Sequence, residues 1–234
     1  MDFVGLWDRA TAVRPDPPHW LVWGTAAVAV LAVAVRPVWA WSRTVVTIAH
    51  EGGHGLTALL TRRRLSGIRL HSDTSGLTVS SGRPTGPGMV LTAAAGYPAP
   101  SLLGLGGAAL LAAGRTTALL WIGTALLAAM LLTLRNLFGV AAVLVTGGAF
   151  VAVSRYGTAE WQGAFAYLGV WFLLLAGVRP LLELWVSRRR GGAPGSDADQ
   201  LARLTGVPGA LWVLVFLAVA LACLGLGAAW LLPR

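Results

Sequence analysis

Three residues within one and a half helical turns carry most of the chemistry this chain can offer. They are His50, Glu51 and His54, in the run Ala49-His50-Glu51-Gly52-Gly53-His54-Gly55-Leu56. On a helix, positions four apart share a face, so both imidazoles can present a nitrogen to one ion. Glu51 sits beside the first of them, where its carboxylate can take a proton from an attacking water. The chemistry implied is metal-assisted hydrolysis. Gly52 and Gly53 each cost such a helix on the order of 1 kcal/mol relative to alanine. They either admit a substrate or a neighbouring helix close to the metal, or serve ordinary small-residue packing.

A hydrolytic zinc site takes three protein ligands and keeps one position open. The other histidines are His19 and His71, and the acids besides Glu51 are Asp2, Asp8, Asp16, Asp73, Glu160, Glu183, Asp197 and Asp199. Choosing among them requires knowing which elements carry them.

Composition sets those elements. Of 234 residues, 56% are apolar and only 12% charged, about half the charged fraction of a soluble domain. The apolar residues form blocks long enough to cross a bilayer core, which takes roughly 20 helical residues. The fold class expected is an all-α polytopic membrane protein, a single domain over 1–234. About seven transmembrane helices are expected, near 19–35, 43–61, 88–113, 117–134, 137–154, 162–178 and 209–231. Only Arg135-Asn136 separates the fourth from the fifth, so five to seven spans covers the range, one broken helix pair being the alternative. Trp20, Trp23, Trp39, Trp41, Trp161, Trp212 and Trp230 lie near span ends, where indoles prefer to sit. The third span clusters small residues, Ala93 to Gly96 and then Gly104, Gly106 and Gly107, which suits close helix packing in lipid.

The net charge of +9 comes from arginine alone, placed between the apolar blocks. That placement is membrane topology and contact with anionic lipid, and no nucleic-acid partner is expected. Counted over alternate loops of a seven-span chain, thirteen arginines fall on the side of the N-terminus and five opposite, which puts the N-terminus in the cytoplasm. An arginine-only basic complement among so much Ala, Gly and Leu fits a GC-rich bacterial genome, and the expected location is the plasma membrane. No basic n-region precedes the first apolar block, which reads as a retained helix. Cys223 is alone, so no intramolecular disulfide can form.

Two cytoplasmic loops stand out, 62–87 and 187–208. In the first, Ile68 and Leu70 alternate with Arg69 and His71, Ser72 to Gly76 forms a turn, and Leu77 and Val79 alternate with Thr78 and Ser80: a β-hairpin following the motif helix. In the second, Ser196 precedes Asp197 and Asp199 and then apolar spacing, which predicts a capped short helix. Glu160 falls on the far side of the membrane and Asp2, Asp8 and Asp16 precede the first span. Asp73 belongs to a turn. Asp197 and Asp199 share a side with the end of the motif helix, and Gly191, Gly192 and Gly195 would let their segment fold inward. Asp197 is taken as the third ligand, with Asp199, Asp73 and Glu183 as the alternatives.

The motif, followed by a hairpin and small-residue spans, resembles the site-2 protease family of intramembrane zinc metallopeptidases, in its compact bacterial B-like branch without a PDZ domain. The likeness extends to Arg135-Asn136-Leu137-Phe138-Gly139 and to Ser196-Asp197-Ala198-Asp199. It implies Zn2+, cleavage of membrane-embedded protein substrates, and a catalytic glutamate, here Glu51. The family also carries Asn-Pro and Asp-Gly ligand motifs on a later span. No aspartate lies in a later span of this chain, so Asp197 must substitute. The function expected is zinc-dependent intramembrane endopeptidase, with lipid bilayer and membrane protein as partners. The alternative is a catalytically inactive protease-like protein that binds or regulates.

Overall fold

The computed structural model describes residues 13–191 and 195–233. Asp2, Asp8, Arg9, Gly192 and Arg234 lie outside them. The described chain is mostly helical with one two-stranded sheet. Helix α1 (His19–Ala34) meets α2 (Arg36–Leu60) at an elbow of 100°. Proline 37 explains the break: in a continuous helix its ring would strike the carbonyl four residues back, that of Val33. The freed Val33 carbonyl accepts instead from the Arg179 guanidinium, which also lies 4.6 Å over the Trp39 ring. The two spans expected at 19–35 and 43–61 are therefore one bent unit, with no loop between them.

Strands β1 (Arg64–Leu70) and β2 (Gly76–Ser81) follow as the expected antiparallel hairpin. Its faces are unequal. Ile68 and Leu70 are buried, but their cross-strand partners are Thr78 and Gly76, while Leu77 and Val79 point outward at 50% and 44% exposure. The polar members of β2, not the apolar ones, face the protein.

The expected third span breaks into α3 (Pro87–Ala94) and α4 (Pro98–Ala112), because the Pro98 ring excludes the Ala94 carbonyl from a helical bond. Helices α5 (Thr116–Leu131) and α6 (Leu137–Tyr156) are joined by 132–136, which runs along β1. There Ile68 N–H donates to Thr133 O at 2.9 Å and Arg135 N–H donates to Ile68 O at 2.9 Å. The Asn136 amide brackets Leu70, donating to its carbonyl at 2.6 Å and accepting from its N–H at 3.2 Å. Helix α7 (Ala159–Ala176) runs on into α8 (Arg179–Arg189), and α9 (Asp197–Thr205) and α10 (Gly209–Leu231) complete the described chain.

Among the described residues three helical stretches are long and apolar enough to cross a membrane: Leu137–Tyr156, Ala159–Arg189 and Gly209–Leu231, with the bent α1–α2 pair as a fourth if it forms one span. Helices α4 and α5, at 15 and 16 residues, are shorter. By length and composition the described residues give three to four candidate spans, against the seven expected. Much of α6 is bare, with Leu137 84% and Val145 75% exposed, a surface suited to lipid rather than water.

A main core joins Leu21, Trp39, Ala108, Trp171, Leu174 and Cys223 across α1, α2, α4, α7 and α10. A second, of Ile48, Ile68, Leu70, Met130, Leu134 and Val143, locks the motif helix to the hairpin and to α5–α6. At one end of the bundle, Arg14 N–H donates to Gly114 O at 2.9 Å and its guanidinium to Ala159 O at 3.3 Å and Gln162 Oε1 at 2.5 Å. The segment before α1 thus shares an end with the loops at 114 and 157. Seven alternating spans would put it opposite them, so the expected alternation fails at the elbow.

Candidate metal centre

Helix α2 puts His50, Glu51 and His54 on the wall of a cavity of about 800 Å³ that it shares with β2, α3, α8 and the start of α9. Asp197, the first residue of α9, closes on the histidines. Ser196 fixes it there as the expected cap, its hydroxyl accepting from Asp199 N–H at 3.3 Å. The His50 Nε2, His54 Nε2 and Asp197 Oδ2 atoms form a triangle 3.2 Å on every side. Donors bonded to a tetrahedral zinc ion at roughly 2.0–2.1 Å stand about 3.3–3.4 Å apart, so the triangle has the size of one face of such a site.

The chemistry of the donors agrees. His54 Nδ1 lies 2.7 Å from Thr92 O, and a carbonyl only accepts, so Nδ1 carries the proton and Nε2 the lone pair. In an unbroken helix Thr92 O would receive the N–H of Gly96; at the break it accepts from Ala95 N–H at 3.3 Å and keeps a second lone pair for the imidazole. Asp197 Oδ2 is buried, and the atoms that face it are the two imidazole Nε2 atoms at 3.2 Å. Burial opposes its ionisation, but the two imidazoles outweigh burial and hold the carboxyl below the usual carboxylate range. Electron pairs converging in a buried place call for a cation.

Space is kept for one. A Cβ on Gly96 would stand 2.3 Å from His54 Nε2 and 2.6 Å from His50 Nε2. On the motif itself, a Cβ on Gly53 would lie 2.5 Å from Ala99 Cβ and 2.8 Å from Ala95 O, so this glycine seats the neighbouring helix. Gly52 is open, with Met130 Sδ at 3.9 Å its nearest neighbour.

Across residues 23–227 the sequence matches the family model for Peptidase M50B-like proteins. The chain belongs to that family. It is a site-2 protease family, and its members are metallopeptidases, typically of zinc. No curated protein and no solved structure matches the chain. Among the described residues of this M50B-like protein nothing stands outside the helices and hairpin, as in a compact form without a PDZ domain.

Four other acids of the M50B-like chain, Asp199, Asp73, Glu183 and Glu160, lie apart from the donor triangle. Asp199 pairs with Arg188 and with Ser196 Oγ, the latter at 3.0 Å; burial opposes its ionisation, yet these contacts hold its carboxyl below the usual range. Asp73 accepts from Ser75 N–H at 2.9 Å and Ser75 Oγ at 2.6 Å, a self-contained turn. Glu183 binds Arg43 at 3.0 Å and Arg179 at 2.9 Å on the cavity wall. Glu160 begins α7 at the opposite end of the bundle.

Glu51 is 5% exposed. Thr78 Oγ1 on β2 donates to its Oε2 at 2.6 Å, and a Cβ on Gly76 would lie 2.5 Å from its Oε1. Tyr97 packs edge-on against His50 at 4.9 Å between ring centres. Sequence reasoning missed Thr92, Thr78 and Tyr97 as members of the site and read Gly96 only as a packing residue. The Gly96-Tyr97-Pro98 run, a helix breaker inside an apolar block, carried the available signal.

Proposed function

We propose that the protein is a zinc-dependent endopeptidase cleaving membrane-embedded protein substrates. The observation that carries this reading is the convergence of three donor atoms beside a buried glutamate at a cavity with a free strand edge. His50, His54 and Asp197 would hold the ion. Bound there, zinc would supply a Lewis acid able to polarise a carbonyl and to acidify water. Glu51 accepts a proton from the attacking water as the new C–O bond forms at the scissile carbonyl, then delivers it to the leaving amine as the C–N bond breaks.

A peptide bond inside a helix is shielded from attack, so the substrate must be extended at this point. β1 has its outer edge occupied by 132–136. The other edge of β2 pairs with no backbone among the described residues, and residues 76–80 line the cavity. An extended substrate segment adds to that edge by main-chain pairing.

The protein is read as integral to a bacterial plasma membrane. Arginines 14, 115 and 155 mark one end of the bundle, and the other thirteen described arginines lie toward the metal-centre end. The positive-inside rule then puts the metal centre toward the cytoplasm and the segment before α1 outside.

The test is metal content and cleavage of a membrane-anchored reporter by purified protein. Wild type is expected to carry about one zinc and to cleave; Glu51→Gln is expected to keep zinc and lose cleavage. Equal cleavage by Glu51→Gln refutes the reading.

A further inference from the structure

Glu51 must hold one orientation to exchange protons with the reacting atoms, and the motif helix alone does not provide it. A glutamate has three side-chain torsions, and fixing them needs contacts beyond its own helix. Those contacts come from β2. The Thr78 hydroxyl has a single proton and two acceptors in range, Glu51 Oε2 at 2.6 Å and Glu51 O at 3.2 Å. The Oε2 contact is the shorter of the two and has the length of a direct O–H···O hydrogen bond, so the proton goes there. The other oxygen is bounded by Gly76, where a Cβ would lie 2.5 Å from both Oε1 and Cγ of Glu51. Gly76 is absent from the residues of positive φ, so its backbone does not demand glycine. The glutamate side chain occupies the space that any larger residue would need.

From this we infer that Thr78 is a positioning residue for Glu51 and that Gly76 shapes the same seat, an inference that rests on the peptidase reading above. The strand doing this work is itself fixed. It pairs with β1, which 132–136 holds from behind, and its turn is tied to α2 by Thr47 Oγ1 donating to Thr74 O at 2.8 Å. The strand that orients the proton acceptor is also the strand whose free edge borders the cavity. A substrate added to that edge and the group that works on it share one rigid frame, so the hairpin sets the register of the scissile bond relative to Glu51. This also explains the unequal hairpin faces: Thr78 faces inward because its partner there is a carboxylate, and Leu77 and Val79 face outward.

The experiment compares Thr78→Val, which keeps shape and removes the donor, with Thr78→Ser, which keeps the hydroxyl. In Thr78→Val, kcat is expected to fall about 10–100-fold, the scale of a misplaced catalytic group. KM should stay within about twofold and zinc per chain should be unchanged, because the ligands and the strand edge are untouched. Thr78→Ser should restore kcat to within about threefold, and Gly76→Ala should lower kcat while keeping zinc. Infrared spectroscopy provides a readout besides activity. The carboxylate band of 13C-labelled Glu51, assigned by its loss in Glu51→Gln, should shift in Thr78→Val and stay in place in Thr78→Ser. Wild-type kcat in Thr78→Val overturns the inference, as does equal impairment of the Val and Ser variants. If wild type cleaves nothing, the peptidase reading fails by itself; the infrared band then decides, an unmoved band in Thr78→Val overturning the inference and a shifted one upholding the contact.

Discussion

Replacing Gly96 with alanine probes the metal centre from the side its ligands do not occupy. The added methyl would stand 2.3 Å from His54 Nε2, 2.6 Å from His50 Nε2 and 2.6 Å from His50 Cε1. Ordinary contact between such atoms needs about 3.5 Å, so one or both imidazoles must retreat by on the order of 1 Å. A ligand atom can stray only about 0.2 Å from its proper bond length. His54 has little room to retreat, because its Nδ1 is bonded to Thr92 O at 2.7 Å. Disturbing the partners of metal ligands typically costs 10–100-fold in affinity, and moving the ligands themselves costs more. Gly96→Ala is therefore expected to weaken zinc binding at least about 100-fold, or about 2.8 kcal/mol at 1.4 kcal/mol per tenfold. Gly96 has no positive φ, so alanine brings no backbone strain that could imitate the effect. Chelator competition on detergent-purified protein reads the affinity. Gly106→Ala, in α4 with nothing within 4 Å of its Cβ, is the control and should bind zinc as wild type does. Wild-type affinity in Gly96→Ala would show that the two nitrogens do not converge there, and the assignment of the centre would fall.

Three further outcomes are expected. Asp197→Ala should lose zinc affinity strongly, whereas Asp199→Ala, which breaks an ion pair with Arg188 away from the donor atoms, should change it little; chelator competition on both decides, and equal losses would contradict the geometry. Asn136→Ala removes both bonds that bracket Leu70, so the hairpin should loosen by about 1–3 kcal/mol, read as faster amide exchange at Leu70 with the helices unchanged. Cysteines placed at positions 83 and 189 should label from the same side of the membrane, and cysteines at 14 and 115 from the other; labelling of 14 together with 83 would restore the alternating arrangement.

Much of the site was legible because its signals are local. The i, i+4 histidines, the alternation around Ser72–Gly76 and the Ser196 cap each lie within a few residues, and each formed as its periodicity implied. Asp197 was reachable by elimination, since the chain has only nine acids. Its route was not. An upright motif helix would need a glycine-flanked loop to reach down to it. In the structure the Pro37 elbow tilts the helix away from α1, and Asp197 meets it from the first turn of a short helix. Hydrophobicity summed over a block does not register such a bend, although Pro37 and Pro98 marked both breaks. The arginine count depends on the same bend, because merging two spans into one unit would change the parity of every loop after it. Thr92 contributes a main-chain oxygen, so no side-chain type could have announced it. Thr78 was visible as an alternating polar residue, but its facing depends on a cross-strand partner and a carboxylate that only the folded chain brings near.

If the protein cleaves peptides as proposed, the outer edge of β2 has a consequence for turnover. It spans six residues, and in a strand only alternate residues direct their main-chain groups to a given side. A substrate taking that edge is held by a short ladder whose rungs act together. Hydrolysis between the rungs divides the ladder, and each fragment keeps only its own share. Since affinity depends exponentially on the summed free energy, halving the rungs weakens each product far more than twofold. Product release follows from the cut itself, without any movement of the hairpin.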